Sequence, residues 1–211
     1  MNDGIRNRRI AEFLETLGSD SPTPGGGAAA AVTGASGAAL IAMVANLTID
    51  KAGYEEAWDR MREILPVVGA GRDELLELAD RDAAAFDEVM AAFRMPKETD
   101  DEKAARRRAI QLAFEGAASV PLRVAERAAQ MIDLGREAVT LGNDNAASDG
   151  LSAAYLLYAA VECAAANVLI NAASLKDEDR KRELLSAVGR VRETARRDVD
   201  AAARAFSAKV G

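Results

Sequence analysis

The positions of the apolar residues predict a protein built from α-helices alone. Apolar side chains recur every three or four residues from about Ile5 to Leu17, and again through the charged segment from about Asp177 to Lys209. This is the spacing of an amphipathic helix, and no stretch shows the two-residue alternation of a half-buried strand. We therefore expect an all-α fold, a single-domain helical bundle that covers residues 1–211.

The middle of the chain predicts further helices, each ended by a helix-breaking residue. One helical region runs from Glu55 to about Phe93, where Pro66 and the 69–71 stretch predict a kink or a break. Thr99 and the acidic residues after it predict the N-cap and first turn of a helix that continues to about Ser119. Pro121 predicts the start of another helix, which ends at about Leu141.

Two segments are apolar on every side and almost free of charge. Ala28–Ile49 has no charged residue, and Leu151–Leu175 has only Glu162. Helices of this kind must be buried all round, so we expect two nearly uncharged central helices. Gly34 and Gly37 inside the first of them predict close approach by a neighbouring helix. A chain of this size has limited material to cover both helices, which favours a homodimer.

Composition excludes several classes of function. The 211 residues carry 27 basic and 34 acidic side chains, a net charge of -7, which argues against a nucleic-acid or anionic-membrane surface. Histidine is absent, so His-ligated metals, catalytic triads and a histidine base are excluded. The lone Cys163 forms no internal disulfide. The N-terminus lacks the apolar core of a signal peptide, and Ala28–Ile49 is weakly hydrophobic for a membrane span, so we expect a cytoplasmic protein.

A glycine-rich turn precedes the first uncharged helix. Thr23 and Pro24 lead into Gly25, Gly26 and Gly27, which together describe a stiff approach, a bare backbone and then the start of a helix. The free N–H groups of such a start accept an anion or the polar edge of a ligand. The alternative is a tight turn that serves only close helix packing, and the glycines alone do not separate the two.

Three polar side chains occur where apolar ones are expected. Asp82 falls in the apolar stripe of its helix, where it is either a helix cap, the partner of a buried arginine, or a site carboxylate. Asn167 and Asn171 are one turn apart in the second uncharged helix. Their amides either bond across the bundle or read the edge of a heterocycle.

Further polar groups border the ends of the uncharged helices. Lys51 follows the first of them, where the helix dipole stabilises a cation without any function. Ser148 and Asp149 precede the second, and either is a natural N-cap. Together with the glycine amides, Asp82 and the two asparagines, these residues favour a site between the helices.

The motifs in this order resemble the cyclodeaminase/cyclohydrolase family of folate enzymes. The resemblance covers nearly the whole chain. It is carried by Ser21–Gly27, Met43–Thr48 with Lys51, Asp82–Asp87, Met95–Lys97, Gly142 and Asn143 with Asn145, Ser148 and Asp149, and Asn167 and Val168 with Asn171. Pro96–Arg106 and the single-domain length favour the stand-alone methenyltetrahydrofolate cyclohydrolases. Around Lys51, Asp50, Ala52 and Gly53 depart from the family, which often has glycine and further lysines there.

The resemblance implies an all-helical homodimer that hydrolyses 5,10-methenyltetrahydrofolate to 10-formyltetrahydrofolate without a metal or other cofactor. From the chemistry of that reaction we expect catalytic roles for Lys51, Asp82 and Asp149 at these motif positions, with either aspartate as the base. The implied substrate-binding residues are Thr23, Pro24, Gly25, Gly26, Gly27, Asn143, Ser148, Asn167 and Asn171. Cyclodeamination of 5-formiminotetrahydrofolate with release of ammonia is the first alternative. A folate-binding helical protein without catalysis is the second.

Overall fold

A computed structural model describes residues 4–211, which form six α-helices and, in that range, no strand. The helices are α1 (Ile10–Leu17), α2 (Gly26–Asn46), α3 (Trp58–Arg94), α4 (Asp100–Leu141), α5 (Ala147–Ala172) and α6 (Glu178–Val210). Short 3-10 turns precede α1, α3 and α5. The all-α prediction is confirmed.

The long helices pack in two layers. α4 lies between α3 and α6, and the uncharged helices α2 and α5 pack against each other over them. α2 and α5 run antiparallel, because Gly26 at the start of α2 lies beside Asn167 near the end of α5. The close approach predicted at Gly37 is confirmed, since a Cβ there would lie 2.8 Å from Leu157 Cγ. At Gly34 a Cβ would lie 3.1 Å from Leu75, also tighter than ordinary contact.

Proline does not end a helix at either of its two internal positions. α3 continues through Pro66, and α4 is one helix of 42 residues that contains Pro121, so the predicted break before Pro121 is wrong. A proline has no N–H to give to the carbonyl four residues earlier, which leaves the carbonyl of Ala117 without its helical partner. The side chain of Asn171 donates from Nδ2 to that oxygen at 2.8 Å and replaces the lost bond.

The helix starts agree with the sequence in one case and differ in another. Thr99 caps α4 as predicted: its Oγ1 accepts from the N–H of Glu102 at 3.2 Å, and Glu102 accepts the N–H of Thr99 in return at 2.9 Å. α5 begins earlier than expected, with Ala146 as its N-cap. Ser148 and Asp149 therefore lie in the first turn of α5, and the N-cap prediction for them is wrong.

The uncharged helices are covered on one side only within a single chain. α2 and the segment Asp144–Ala172, which contains α5, have the length and apolar composition of membrane-spanning helices. The most apolar 18-residue stretches of the two have mean hydropathies of 1.8 and 1.7, and 56% and 44% of these stretches are buried inside the bundle. Each helix also leaves an exposed stripe of uncharged residues. The stripes are Ser36, Ala39, Met43 and Asn46 on α2, and Tyr155, Ala159, Cys163, Ala166 and Ile170 on α5. The expected burial on all sides is thus incomplete in one chain.

Candidate active site

The glycine turn forms one wall of a cavity of about 300 Å³ at the start of α2. Gly25 is the N-cap of α2, adopts an extended backbone and has no side chain of its own to cap the helix. The N–H groups of Gly26 and Gly27 have no acceptor within the helix, and both residues line the cavity. The cavity is lined by Pro22, Thr23, Gly25, Gly26, Gly27, Asp82, Ala85, Phe86, Val89, Phe114, Ala117, Asn167, Ile170 and Asn171. Pro24, predicted to bind substrate, is buried behind this wall.

Asp82 reaches the start of α2 from α3. Its carboxylate fills the space over the backbone of Gly27, so a Cβ at Gly27 would overlap it. Burial raises the pKa of the Asp82 carboxyl above its ordinary value, and the N–H of Ala28 acts in the opposite direction. Among residues 4–211 no arginine or lysine forms an ion pair with Asp82, so the buried-arginine alternative is wrong. The bond from the Ala28 N–H, in the first turn of α2, makes Asp82 a cap of that helix from outside it.

The two asparagines line the same cavity and differ in how far they are already bonded. Asn167 donates from Nδ2 to the carbonyl of Cys163, one turn back in its own helix, at 2.9 Å. Asn171 bonds across to Ala117 of α4. The predicted bond across the bundle is thus present for one N–H of Asn171. Both asparagines also line the cavity, so their amides are within reach of a ligand there.

Two phenylalanines complete the cavity, and sequence reasoning did not select them. Phe86 from α3 and Phe114 from α4 line it. Phe86 belongs to the apolar stripe of its helix. Helical spacing of apolar residues is the same for a core residue and for a residue that lines a pocket, so it did not single out Phe86. The pair gives the cavity the apolar walls suited to a flat heterocycle, while Asp82 and Asn167 supply a carboxylate and an amide.

Lys51 lies at the opposite end of α2, in the loop that follows it. Asp50 has a positive φ of 60° and Gly53 one of 89°, so the chain turns sharply on both sides of Lys51. The ammonium Nζ of Lys51 lies 5.8 Å from the centre of the Tyr54 ring. The indole of Trp58 donates to the carbonyl of Lys51 at 3.3 Å, which fixes the backbone of this loop.

Asn143 holds that loop to the end of α4. Its N–H donates to Thr48 Oγ1 at 2.9 Å, and its Nδ2 donates to the carbonyl of Leu47 at 3.2 Å. Its Oδ1 accepts from the N–H of Asn145 at 3.1 Å. Asn143 is also buried. These bonds make Asn143 a residue that organises the Lys51 end, and it does not line the glycine cavity.

Ser148 and Asp149 lie near the same end, in the first turn of α5. Ser148 is exposed and Asp149 is half-buried. No hydrogen bond or ion pair joins either side chain to another of the described residues, so the Asp149 carboxylate is available to a ligand. We call one group of residues the loop end: Lys51, Asn143, Ser148 and Asp149. We call the other group the glycine end: Thr23–Gly27, Asp82, Asn167 and Asn171.

One chain does not bring the two ends together. They lie at opposite ends of α2, whose 21 residues span about 31 Å at the rise of an α-helix. Within one chain, the residues predicted for a site between the helices therefore form two separate groups. The motifs indicate a single site because residues from both ends border the same two helices, but the length of α2 separates them.

Neither end has the side chains of a metal centre. Among residues 4–211 no three Asp, Glu or Cys side chains cluster in a way that could hold a metal ion. The glycine end offers a shaped apolar cavity with amides and a carboxylate of raised pKa. The loop end offers a cation and a carboxylate. Binding of a heterocycle suits the first, and proton transfer or charge stabilisation suits the second.

Comparison with known proteins agrees with the motifs. The pattern of the formiminotransferase-cyclodeaminase family matches residues 9–190. A methenyltetrahydrofolate cyclohydrolase of Methylorubrum extorquens is 43% identical over 182 residues, which are 84% of this chain and 88% of that protein. A formimidoyltransferase-cyclodeaminase of Rattus norvegicus is 35% identical over 80% of this chain, which spans 31% of that longer enzyme.

A solved structure has the same fold. The crystal structure of a formiminotetrahydrofolate cyclodeaminase from Thermotoga maritima superposes with a TM-score of 0.87 at 31% identity. The match covers 98% of this chain and 100% of that one.

Proposed function

Because this chain belongs to the formiminotransferase-cyclodeaminase family, we propose that it hydrolyses 5,10-methenyltetrahydrofolate to 10-formyltetrahydrofolate. The observation that carries the proposal is the similarity to the Methylorubrum cyclohydrolase, which extends over most of both chains. The apolar cavity with its carboxylate and amides supports a folate as the ligand.

The enzyme must position the substrate and a water molecule and transfer protons, but the substrate carbon needs little activation. The substrate carbon lies in an amidinium between N5 and N10 and is already electrophilic, so the proposed route passes through no cofactor. Water adds to this carbon and loses one proton to a base. The bond from this carbon to N5 then breaks, N5 takes up one proton, and the hydroxyl of the tetrahedral intermediate gives up its proton as the C=O bond forms. The formyl group stays on N10, and one proton is released overall.

We assign the chemistry to three side chains. Asp149 or Asp82 stabilises the cation or accepts the proton of the attacking water. Lys51 returns a proton or holds the oxygen of the intermediate. The Gly25–Gly27 amides hold polar atoms of the pterin or a carboxylate, and Asn167 or Asn171 orients the ring.

We further propose that the working site forms between two copies of the chain. The exposed stripes of α2 and α5 are uncharged, and a second copy is the partner that would cover both with a matching surface. A two-fold axis perpendicular to α2 packs these helices antiparallel across the interface. In that arrangement the loop end of one copy lies against the glycine end of the other. The proposed catalytic and binding residues then meet across the interface, which favours an antiparallel homodimer.

An absorbance assay tests the activity. The purified protein is added to methenyltetrahydrofolate, and loss of the near-ultraviolet absorbance of the substrate is followed against the spontaneous rate. We expect rapid loss with wild type and a fall of about 100-fold or more for Lys51→Met and for Asp149→Asn. Rates within a few-fold of wild type for both variants would contradict the assigned roles.

Cyclodeamination is the second candidate, because the Thermotoga cyclodeaminase shares the fold over its whole length. Both reactions pass through related tetrahedral species. Incubation with 5-formiminotetrahydrofolate distinguishes them: a cyclodeaminase produces the near-ultraviolet absorbance and releases ammonia. A protein that binds folate but changes neither substrate would be a non-catalytic member.

A further inference from the structure

Lys209, near the end of α6, closes the last turn of α4. Its ammonium donates to the carbonyl of Val139 at 2.7 Å and to that of Gly142 at 3.0 Å. It also forms an ion pair with Asp144 at 2.8 Å, and its side chain is only 18% exposed. One ammonium therefore has all three of its protons directed at protein oxygens.

Lys209 supplies the positive charge that the C-terminal end of α4 lacks. The last turn of α4 has no basic residue of its own, although cations stabilise the unpaired carbonyls and the negative dipole end of a helix. Lys209 comes from a different helix and lies outside the family match at residues 9–190. The ion pair with Lys209 also lowers the pKa of the Asp144 carboxyl, so the two remain paired at neutral pH.

The segment that Lys209 holds is joined directly to the loop of Lys51. The N–H of Asp144 donates to the Tyr54 hydroxyl at 3.0 Å. The N–H of Tyr54 in turn donates to the carbonyl of Lys51 at 3.2 Å, and the Tyr54 ring lies under the Lys51 ammonium. The chain of contacts thus runs from Lys209 through Asp144 and Tyr54 to Lys51.

We propose that Lys209 is a positioning residue for Lys51: it fixes the end of α4 and, through Asp144 and Tyr54, sets where the Lys51 ammonium lies. The expected loss of turnover without Lys209 rests on the proposed function, in which Lys51 acts on the reacting atoms. The expected loosening of the Lys51 loop is independent of the proposed function. Lys209 itself touches no part of the candidate site.

The loop contains its own reporter. Trp58 is the only tryptophan of the chain, and its indole is bonded to the carbonyl of Lys51. Lys209→Met keeps the aliphatic stem and removes the ammonium. We expect greater quenching of Trp58 fluorescence by acrylamide in this variant, with the far-ultraviolet circular dichroism unchanged. Arg204→Met, an exposed position on the same helix, is the matched control and should leave the quenching as in wild type.

Kinetics test the positioning role. We expect Lys209→Met to lower kcat by about 10- to 100-fold, the effect of a small displacement of a reacting group, with little change in KM. Lys209→Arg keeps the cation and should recover most of the rate. Tyr54→Phe cuts the same connection, so adding Lys209→Met to it should cost little more.

Two results would overturn the proposal. One is an unchanged Trp58 quenching in Lys209→Met. The other is a loss of kcat that is equally large in the Tyr54→Phe background, as for a role in general stability. If Lys51→Met retains wild-type turnover, the assigned function of Lys51 fails instead, and the Trp58 measurement still decides whether Lys209 holds the loop.

Discussion

At the scale of single residues, Gly27 is the most demanding position of the glycine turn. Gly27→Ala improves intrinsic helix propensity by about 1 kcal/mol, so propensity alone predicts a more stable protein. The structure predicts the opposite, because the new Cβ would displace the Asp82 carboxylate. We expect lower stability and a large loss of turnover.

Gly26→Ala is the matched control for Gly27. Its Cβ would lie 3.4 Å from Asn167 Nδ2, an ordinary contact. Thermal unfolding and the absorbance assay measure both variants. Equal behaviour of the two would show that the glycines serve only the turn and that Asp82 is not packed against Gly27.

Asp82 predicts a pH dependence of stability whose sign follows from its burial. Its pKa is raised in the folded state, so the folded protein binds this proton more tightly than the unfolded chain. The resulting contribution to stability is fully present below the unfolded pKa of about 3.9 and is lost as pH rises through the folded pKa. Asp82→Asn removes this dependence. We expect it to be at least as stable as wild type at pH 7, by urea unfolding, while turnover falls.

At the scale of helices, Pro121 and Asn171 form one structural unit. Asn171→Ala leaves the carbonyl of Ala117, a buried residue, without a donor, at a cost of about 1–3 kcal/mol in the free energy of unfolding. Pro121→Ala restores the backbone N–H, so Asn171→Ala should cost much less in that background. Urea unfolding of the four proteins gives the coupling. Additive changes would mean that Asn171 does not compensate for the proline.

The same pair shows what sequence can and cannot predict at this scale. Periodicity placed the helices, and the Thr99 cap was visible because its partners are three residues apart. α4 continues through Pro121, and the carbonyl that the proline leaves unpaired is bonded by Asn171, 50 positions later; no local pattern contains that bond. The motifs likewise predict which residues belong to the candidate site. Their division between the two ends of α2 depends on helix length and packing direction, which the motifs do not contain.

At the scale of the whole molecule, the uncharged stripes of α2 and α5 predict how copies associate. Ala159→Arg places a charge within the α5 stripe, and we expect it to convert dimers to monomers and to abolish turnover. Ala91→Arg adds the same charge at an exposed alanine of α3 and should leave both unchanged. Sedimentation velocity measures the association. Wild-type sedimentation of Ala159→Arg would place the interface elsewhere.

The most direct test of a site shared between two copies is to mix two inactive variants. Lys51→Met is defective at the loop end and Asp82→Asn at the glycine end, about 31 Å away along α2. If each site takes one end from each copy, a mixed dimer has one intact site. After exchange of subunits at equal concentration, half of the dimers are mixed, so activity should recover to about a quarter of wild type. No recovery, with mixed dimers shown to be present, would contradict the shared site.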